Sequence, residues 1–213
     1  MTKVALRGIG ARKLRAFTTW LAIFLGVALV AGTYVLTDTI NESFSEIFSE
    51  SLKGTDVAVT TRQDIQTDDM EPPAFPARLL DRVKKVDGVE AAAGSVFASG
   101  RFIDAEGDPI GNSFAPNFIS SLQPPRFETL DYVEGRKPRA AMEASIDTQT
   151  ADTGDLRVGS KLRLAGAHEA KTYAVVGLTK LGDTSFGGAG IAQVILPEAQ
   201  RITDREGQFD QIS

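Results

Sequence analysis

Between Arg15 and Asp38 the chain runs for 22 residues without a charge (16–37, AFTTWLAIFLGVALVAGTYVLT). As a helix at 1.5 Å per residue, this run spans about 33 Å, close to the roughly 30 Å hydrocarbon core of a bilayer. Within lipid every backbone amide needs an internal partner, so the pattern predicts a transmembrane helix over 16–37. Trp20 and Tyr34 fall near its two ends, where amphipathic rings prefer the interface. Two other readings stay open at this point. A signal peptide has a shorter apolar region, about 7–15 residues, followed by a small-residue cleavage site, and no good site follows here. A buried helix of a soluble core is rarely so long and so free of charge.

The helical pattern continues past Asp38. Ile40, Phe44, Ile47, Phe48 and Leu52 form one apolar stripe, while Glu42, Glu46 and Glu50 mark another face, and Gly54 is placed to stop the helix. The expected element is a stalk helix over 38–54 whose stripe packs on a partner. A juxtamembrane helix lying on lipid fits less well, because its polar face carries acids rather than bases. Beyond it, 56–61 alternates like a strand, 64–76 reads as a proline-containing loop, and 77–86 has a helical apolar pattern ended by Asp87-Gly88. One or two strands are expected over 89–103, a turn over 104–109, and irregular chain to Pro125. From Ala140 strands dominate. Leu162–Leu164 and Tyr173–Leu178 flank a polar hairpin-like connection, Ile191–Leu196 is a further strand, and Pro197–Thr203 is a short helix opened by proline. The predicted class is α+β: a membrane helix extended into a stalk, then a mixed α/β domain over 55–213.

Charge gives this layout a direction. Lys3, Arg7, Arg12, Lys13 and Arg15 all precede the apolar run, and no acid occurs before Asp38. Residues 16–213 hold 18 bases and 28 acids. Bases before the span and acids after it put residues 1–15 in the cytoplasm and 38–213 outside. The basic segment is read either as a short helix on the inner leaflet, with Val4, Leu6, Ile9 and Leu14 toward lipid, or as a plain positive flank. Ala22/Gly26 and Ala28/Gly32 have the small-xxx-small spacing that lets membrane helices approach. With no cysteine, disulfide scaffolds and thiolate metal sites are excluded, and a single histidine argues against a histidine-based metal centre. A net charge of −5 argues against nucleic acid as a partner.

Candidate chemistry is sparse. No G-x-x-x-x-G-K-[ST] occurs, and the glycine run at 182–190 has no following lysine, so the chain does not hydrolyse ATP by itself. Asp104, Glu106 and Asp108 resemble the start of a calcium loop, but glycine stands fourth and Ala115 replaces the closing glutamate, so a turn is expected. Gly111–Ala115 misses a nucleophile elbow by one residue, and Pro116 disfavours the helix it needs. His168 lies in a polar connection beside Glu169. Asp68/Asp69 and Asp152/Asp155 read as solvated surface. Neither a catalytic constellation nor a cofactor or metal site is expected, and the chain is read as a non-enzyme.

The order of features resembles a known family. The opening over 5–40, ALRGIGARKLRAFTTWLAIFLGVALVAGTYVLTDTI, is similar to that of FtsX-type ABC transporter permeases carrying a MacB-like periplasmic core domain, most of all the actinobacterial ones. GDLRVGSKLRL, TYAVVGL, FGGAGIAQVILPEAQRI and GQFDQIS follow in that domain's order and spacing. The resemblance implies a first membrane helix rising into an outer domain, a return through three more membrane helices, and a separate ABC ATPase subunit at the cytoplasmic face. It also implies a partner, an FtsX-type permease half or a second copy. No second apolar run of about 20 residues lies within 1–213, so the FtsX membrane domain is absent and the chain reads as an N-terminal piece or a truncated product. The expected role is a membrane permease component of an ABC-type export or mechanotransmission complex. The alternative is a single-pass anchored binding or sensory module.

Overall fold

The computed structural model describes residues 13–51, 54–62, 73–111, 115–182 and 188–213, with the side chains of Leu14, Leu36 and residues 39–51 outside the description. The chain divides into two compact units, Met1–Ser45 and Glu46–Ser213. The first holds most of one long helix, α1 (Lys13–Ser51, 39 residues). Its backbone is regular through the whole charge-free run, as a segment without water to bond must be. The hydroxyls of Thr18 and Thr33 donate to the carbonyls of Arg15 (3.0 Å) and Leu29 (2.9 Å), so these polar side chains are satisfied within the helix itself.

The second unit is built around strands β4 (Phe97–Ile103), β6 (Asn117–Ser121), β8 (Glu143–Asp147), β9 (Lys161–Ala165), β10 (Lys171–Lys180) and β11 (Ile191–Val194). They pair in the order β4-β6-β11-β8-β10, and β9 pairs with both β10 and β4, which closes the six into a ring. Two more strands extend it: β5 (Pro109–Ile110) on β4 and β7 (Asp131–Gly135) on β10. Period-2 alternation turns one side chain of each pair inward. Phe102, Ile119, Ile146, Leu162, Leu164, Tyr173, Val175 and Val194 fill the ring, each at most 1% exposed. Two short helices join this core through Ala151, Ala199 and Ile202: α3 (Thr148–Thr153) and α4 (Leu196–Ile202). Asp147 caps α3, accepting from the Thr150 amide at 2.9 Å, and proline opens α4.

A smaller layer lies beside the ring. It comprises β1 (Val59–Thr60), β2 (Phe75–Pro76), β3 (Gly94–Ser95), β12 (Gln208–Phe209) and β13 (Gln211–Ile212), with helix α2 (Arg78–Val83). β13 is the centre of a three-stranded sheet, antiparallel to β1 and β3, and β12 pairs with β2. Phe75, Phe209 and Ile212 form its core, against which α2 packs through Leu79, Leu80 and Val83. Edge strands are blunted: β5 begins with a proline, and the β7 register skips Val133 between Glu134↔Leu178 and Tyr132↔Thr179.

The mixed α/β class, the helix through the charge-free run, the 161–180 hairpin and the proline-opened helix agree with the sequence reading. The strand expected at 56–61 is only Val59–Thr60, and the helix expected at 77–86 spans Arg78–Val83 before it loosens into turns. The 104–109 turn is present, but the irregular stretch expected to Pro125 contains the regular strand β6, whose Phe118-Ile119 pair is flanked by polar residues that hide the alternation. α3 had no apolar periodicity to announce it, being TQTADT held by its cap.

Gly135 sits at φ +73°, and a Cβ there meets the Val176 carbonyl oxygen, whereas Gly88 at φ +90° faces open space. Gly135→Ala is therefore expected to cost about 3 kcal/mol, a steric clash added to a disfavoured φ, and Gly88→Ala only about 1 kcal/mol. Chemical denaturation of the two variants in parallel checks the ordering, and equal midpoints contradict it.

Candidate functional site

In the first unit the feature that demands explanation is bare apolar surface. Arg15–Val35 is long and apolar enough to cross a membrane and is not covered by the rest of the protein. Phe17, Trp20, Leu25, Leu29, Tyr34 and Val35 are each more than half exposed, far beyond the scattered apolar residues of a soluble surface. Phe17, Trp20 and Phe24 form an aromatic ladder up one face, with centroids 6.1 and 5.5 Å apart. Of the predicted basic residues, Lys13 and Arg15 are exposed at the start of α1, while Lys3, Arg7 and Arg12 lie outside the described residues. The side chains of Ile40, Phe44, Ile47 and Phe48, and the whole of Leu52, also lie outside them, although 40–51 is helical in backbone.

In the second unit three buried polar systems hold the segments around the ring. The first is a relay on its outer face. Ser145 donates to the Tyr132 hydroxyl at 2.9 Å, Tyr132 donates to Gln193 Oε1 at 2.7 Å, and Gln193 Nε2 donates to Glu128 Oε1 at 3.0 Å. Lys137 completes it, 3.5 Å from Glu128 Oε2 and 5.5 Å above the Tyr132 ring. Burial, opposed by the Ser145 hydrogen bond and aided by the Glu128 charge, pushes the Tyr132 hydroxyl up to about 12. It stays a donor, unsuited to act as a base.

The second system fixes α4 to the ring. The Tyr173 hydroxyl donates to Glu198 Oε1 at 2.5 Å, and Arg201 donates to both Glu198 and the Tyr173 oxygen. Burial pushes the Glu198 carboxyl up, but the hydrogen bonds from Arg201 and Tyr173, with the Arg201 charge, outweigh it and hold the group below its ordinary 4.5. The third ties the small sheet to β4. Asp210 accepts from the Phe97 amide at 3.0 Å and from Arg205 at 3.1 Å.

Where the helix gives way to the domain, Gly54 (φ +79°) packs so closely on the Arg126 carbonyl that a Cβ there has no room. Arg126 forms an ion pair with Glu90 at 2.9 Å. Between these segments runs a groove of 460 Å³, whose lining includes Val57, Val59, Val83, Val86, Phe127 and Ile212. Val57 and Val86, 70% and 59% exposed, are the most exposed large apolar residues of this unit among the described residues, and both line it.

None of the sequence's weaker motifs converges on this groove or on a reaction centre. Asp104 Oδ1 accepts from the amides of Gly107 and Asp108 at 2.8 Å, which makes it a turn-forming residue. His168 faces Asp204 at 4.0 Å, and both are exposed. Residues 112–114 and Asp68/Asp69 lie outside the described residues. Asp152 and Asp155 are both exposed, Asp155 beside Arg157 at 3.5 Å. The described residues contain no group of three His, Cys, Asp or Glu able to hold a metal. The buried relays joining Glu128 to Gln193 and Tyr173 to Glu198 escaped the sequence reading, because partners so far apart along the chain leave no local signal.

The family model of the MacB-like periplasmic core domain matches residues 16–212. Among solved structures, the extracellular domain of the ABC-type transporter YknZ from Gram-positive bacteria is 15% identical, covering 73% of this chain and 79% of that chain, with a TM-score of 0.49. The periplasmic region of MacB from Actinobacillus actinomycetemcomitans is 9% identical, covering 73% and 71%, also with a TM-score of 0.49. No curated protein matches the chain.

Because the folded Glu198 carboxyl lies below its ordinary value, its contribution is complete above about pH 4.5 and is lost as pH falls through the folded value. Glu198→Gln is expected to flatten the acid limb of the stability curve measured by thermal unfolding between pH 6 and 3. Tyr173→Phe should cost about 1–2 kcal/mol at pH 7, since it leaves a buried carboxylate oxygen short of a donor.

Proposed function

The chain belongs to the MacB-like periplasmic core domain family, and on that premise we propose that it is a membrane component of an ABC-type export or mechanotransmission complex. In this reading residues 1–15 are cytoplasmic, 16–37 cross the membrane, 38–54 form the stalk and 55–213 are the outer domain. A separate ATPase subunit hydrolyses ATP, consistent with a sequence that has no phosphate-cradling G-x-x-x-x-G-K-[ST] loop.

One observation carries this reading. The backbone of α1 is one continuous helix from Lys13 to Ser51 and includes an uncovered apolar span, Arg15–Val35, long enough to cross a membrane. A helix transmits axial rotation or tilt because its hydrogen bonds run along its axis. The stripe of Ile40, Phe44, Ile47, Phe48 and Leu52 serves in this scheme as the packing face for a permease half or a second copy. A second reading, a single-pass binding or sensory module, draws on the open groove at the helix exit.

Two measurements test the proposal. The chain contains no cysteine, so single cysteines can report topology. Thr2→Cys is expected to resist a membrane-impermeant maleimide in intact cells and Lys161→Cys to react, and the opposite pattern rejects the orientation. Purification of the tagged chain from gently solubilised native membranes is expected to recover an ABC ATPase together with an FtsX-type membrane segment. Recovery of neither favours the lone anchored module.

A further inference from the structure

The outer unit is acidic, yet its cations are not spread evenly. Residues 55–213 hold 24 acids and 17 bases, and four of those bases, Arg78, Arg82, Lys84 and Lys85, fall within 78–85. They ride on α2 and on the turn that continues it, where the Lys84 and Lys85 amides bond back to the Leu80 and Arg82 carbonyls at 3.0 and 3.1 Å. With 3.6 residues per turn, Arg78, Arg82 and Lys85 stand one above the other, within roughly 60° of arc. Leu79, Leu80 and Val83 turn away from them and pack on the core of Phe75, Phe209 and Ile212. All four cations are exposed.

Pairing sets these four apart. Elsewhere in the unit Arg126, Arg136, Lys137, Arg157, Arg201 and Arg205 each form an ion pair with a carboxylate. Among the described residues, the side chains of Arg78, Arg82, Lys84 and Lys85 make neither an ion pair nor a hydrogen bond. The acids of the same segment, Asp81 and Asp87, are exposed and leave it two charges positive. Two of the four cations are lysines, compact charges that impose no fork geometry. A raised, exposed row of this kind suits a surface bearing many anions better than one enclosed carboxylate. The same chain carries an apolar span able to cross a membrane, Arg15–Val35, and with it access to such a surface.

We propose that Arg78, Arg82, Lys84 and Lys85 dock the outer domain on an anionic lipid surface, the headgroups of the bilayer that holds α1. The proposal rests on the reading of Arg15–Val35 as a membrane span. A domain tethered to a bilayer meets its headgroups at high effective concentration, so a contact too weak to recruit a free protein becomes significant. Each Lys or Arg near an anionic surface raises occupancy about fivefold. The apolar face of α2 is committed to the core, so the docking is electrostatic and is screened by salt.

The test reconstitutes the full chain in nanodiscs of phosphatidylcholine, with or without phosphatidylglycerol. The sequence has no cysteine, so Asp87→Cys carries a fluorescent donor at a single position, and a headgroup-labelled lipid is the acceptor. Energy transfer is expected to rise with phosphatidylglycerol and to fall back in high salt. Lys85→Gln should lower the ratio of docked to free domain about fivefold. Arg78→Lys with Arg82→Lys should preserve it, because charge and not fork geometry is read, and Asp81→Asn should raise it. These side chains are exposed, so each variant should keep the Tm of the parent. Equal transfer in the two discs, from a chain that co-elutes with them, overturns the docking while leaving the membrane span standing. So does a response that survives Arg78→Gln, Arg82→Gln, Lys84→Gln and Lys85→Gln together. A chain that never enters the discs overturns the span and the docking with it. Saturable binding of a polyglutamate peptide, with no response to phosphatidylglycerol, overturns the lipid and assigns the cations to an acidic polypeptide.

Discussion

A peptide group removed from water must find a hydrogen-bonding partner, and most of this molecule follows from how that demand is met. Over residues 16–37 it is met along the chain, by a helix whose side chains are left bare. In the outer unit it is met across the chain, and β9, bonding to both β10 and β4, removes the free edges that an open sheet of the same strands leaves. The two strands attached outside the ring are blunted by a proline and by a register break.

Side-chain polarity serves the same architecture. Where a loop or short helix must be held against a nearly dry wall, a chain of donors and acceptors holds it: Ser145 to Tyr132 to Gln193 to Glu128, and Tyr173 with Arg201 to Glu198. Such relays polarise one another, and removing one member strands the next. Their tyrosines are held protonated and their carboxylates are consumed as acceptors. Groups that in another setting suggest acid–base chemistry act here as fasteners.

The membrane helix was legible because its signal is a run, needing no partner to be recognised. The 161–180 hairpin and α4 were legible because their turn and proline signals are local. β6 and α3 were not, since a strand flanked by Asn117 and Ser120-Ser121 has little alternation and α3 depends on a single cap at Asp147. The groove at the helix exit was out of reach for a different reason. Its walls come from segments near residues 56, 90, 126 and 212, brought together by the pairing of β13 with β1 and β3 and by the Arg126–Glu90 ion pair. The stripe of 40–52 is legible as a pattern, while its side chains lie outside the described residues.

That pairing also gives the molecule an order of assembly. Among the described strands β1 pairs with β13 alone, so the strand at Val59–Thr60 waits for the one at Gln211–Ile212. Contacts so remote in sequence form late, after the loop entropy of everything between has been overcome. During synthesis the membrane helix can be inserted while the base of the outer domain is still unsealed, with Val57, Val59 and the apolar face of α2 exposed to quality-control proteases and chaperones. Completion of the base is thereby a record that the strands in between have been made, written at the point where the domain joins its anchor.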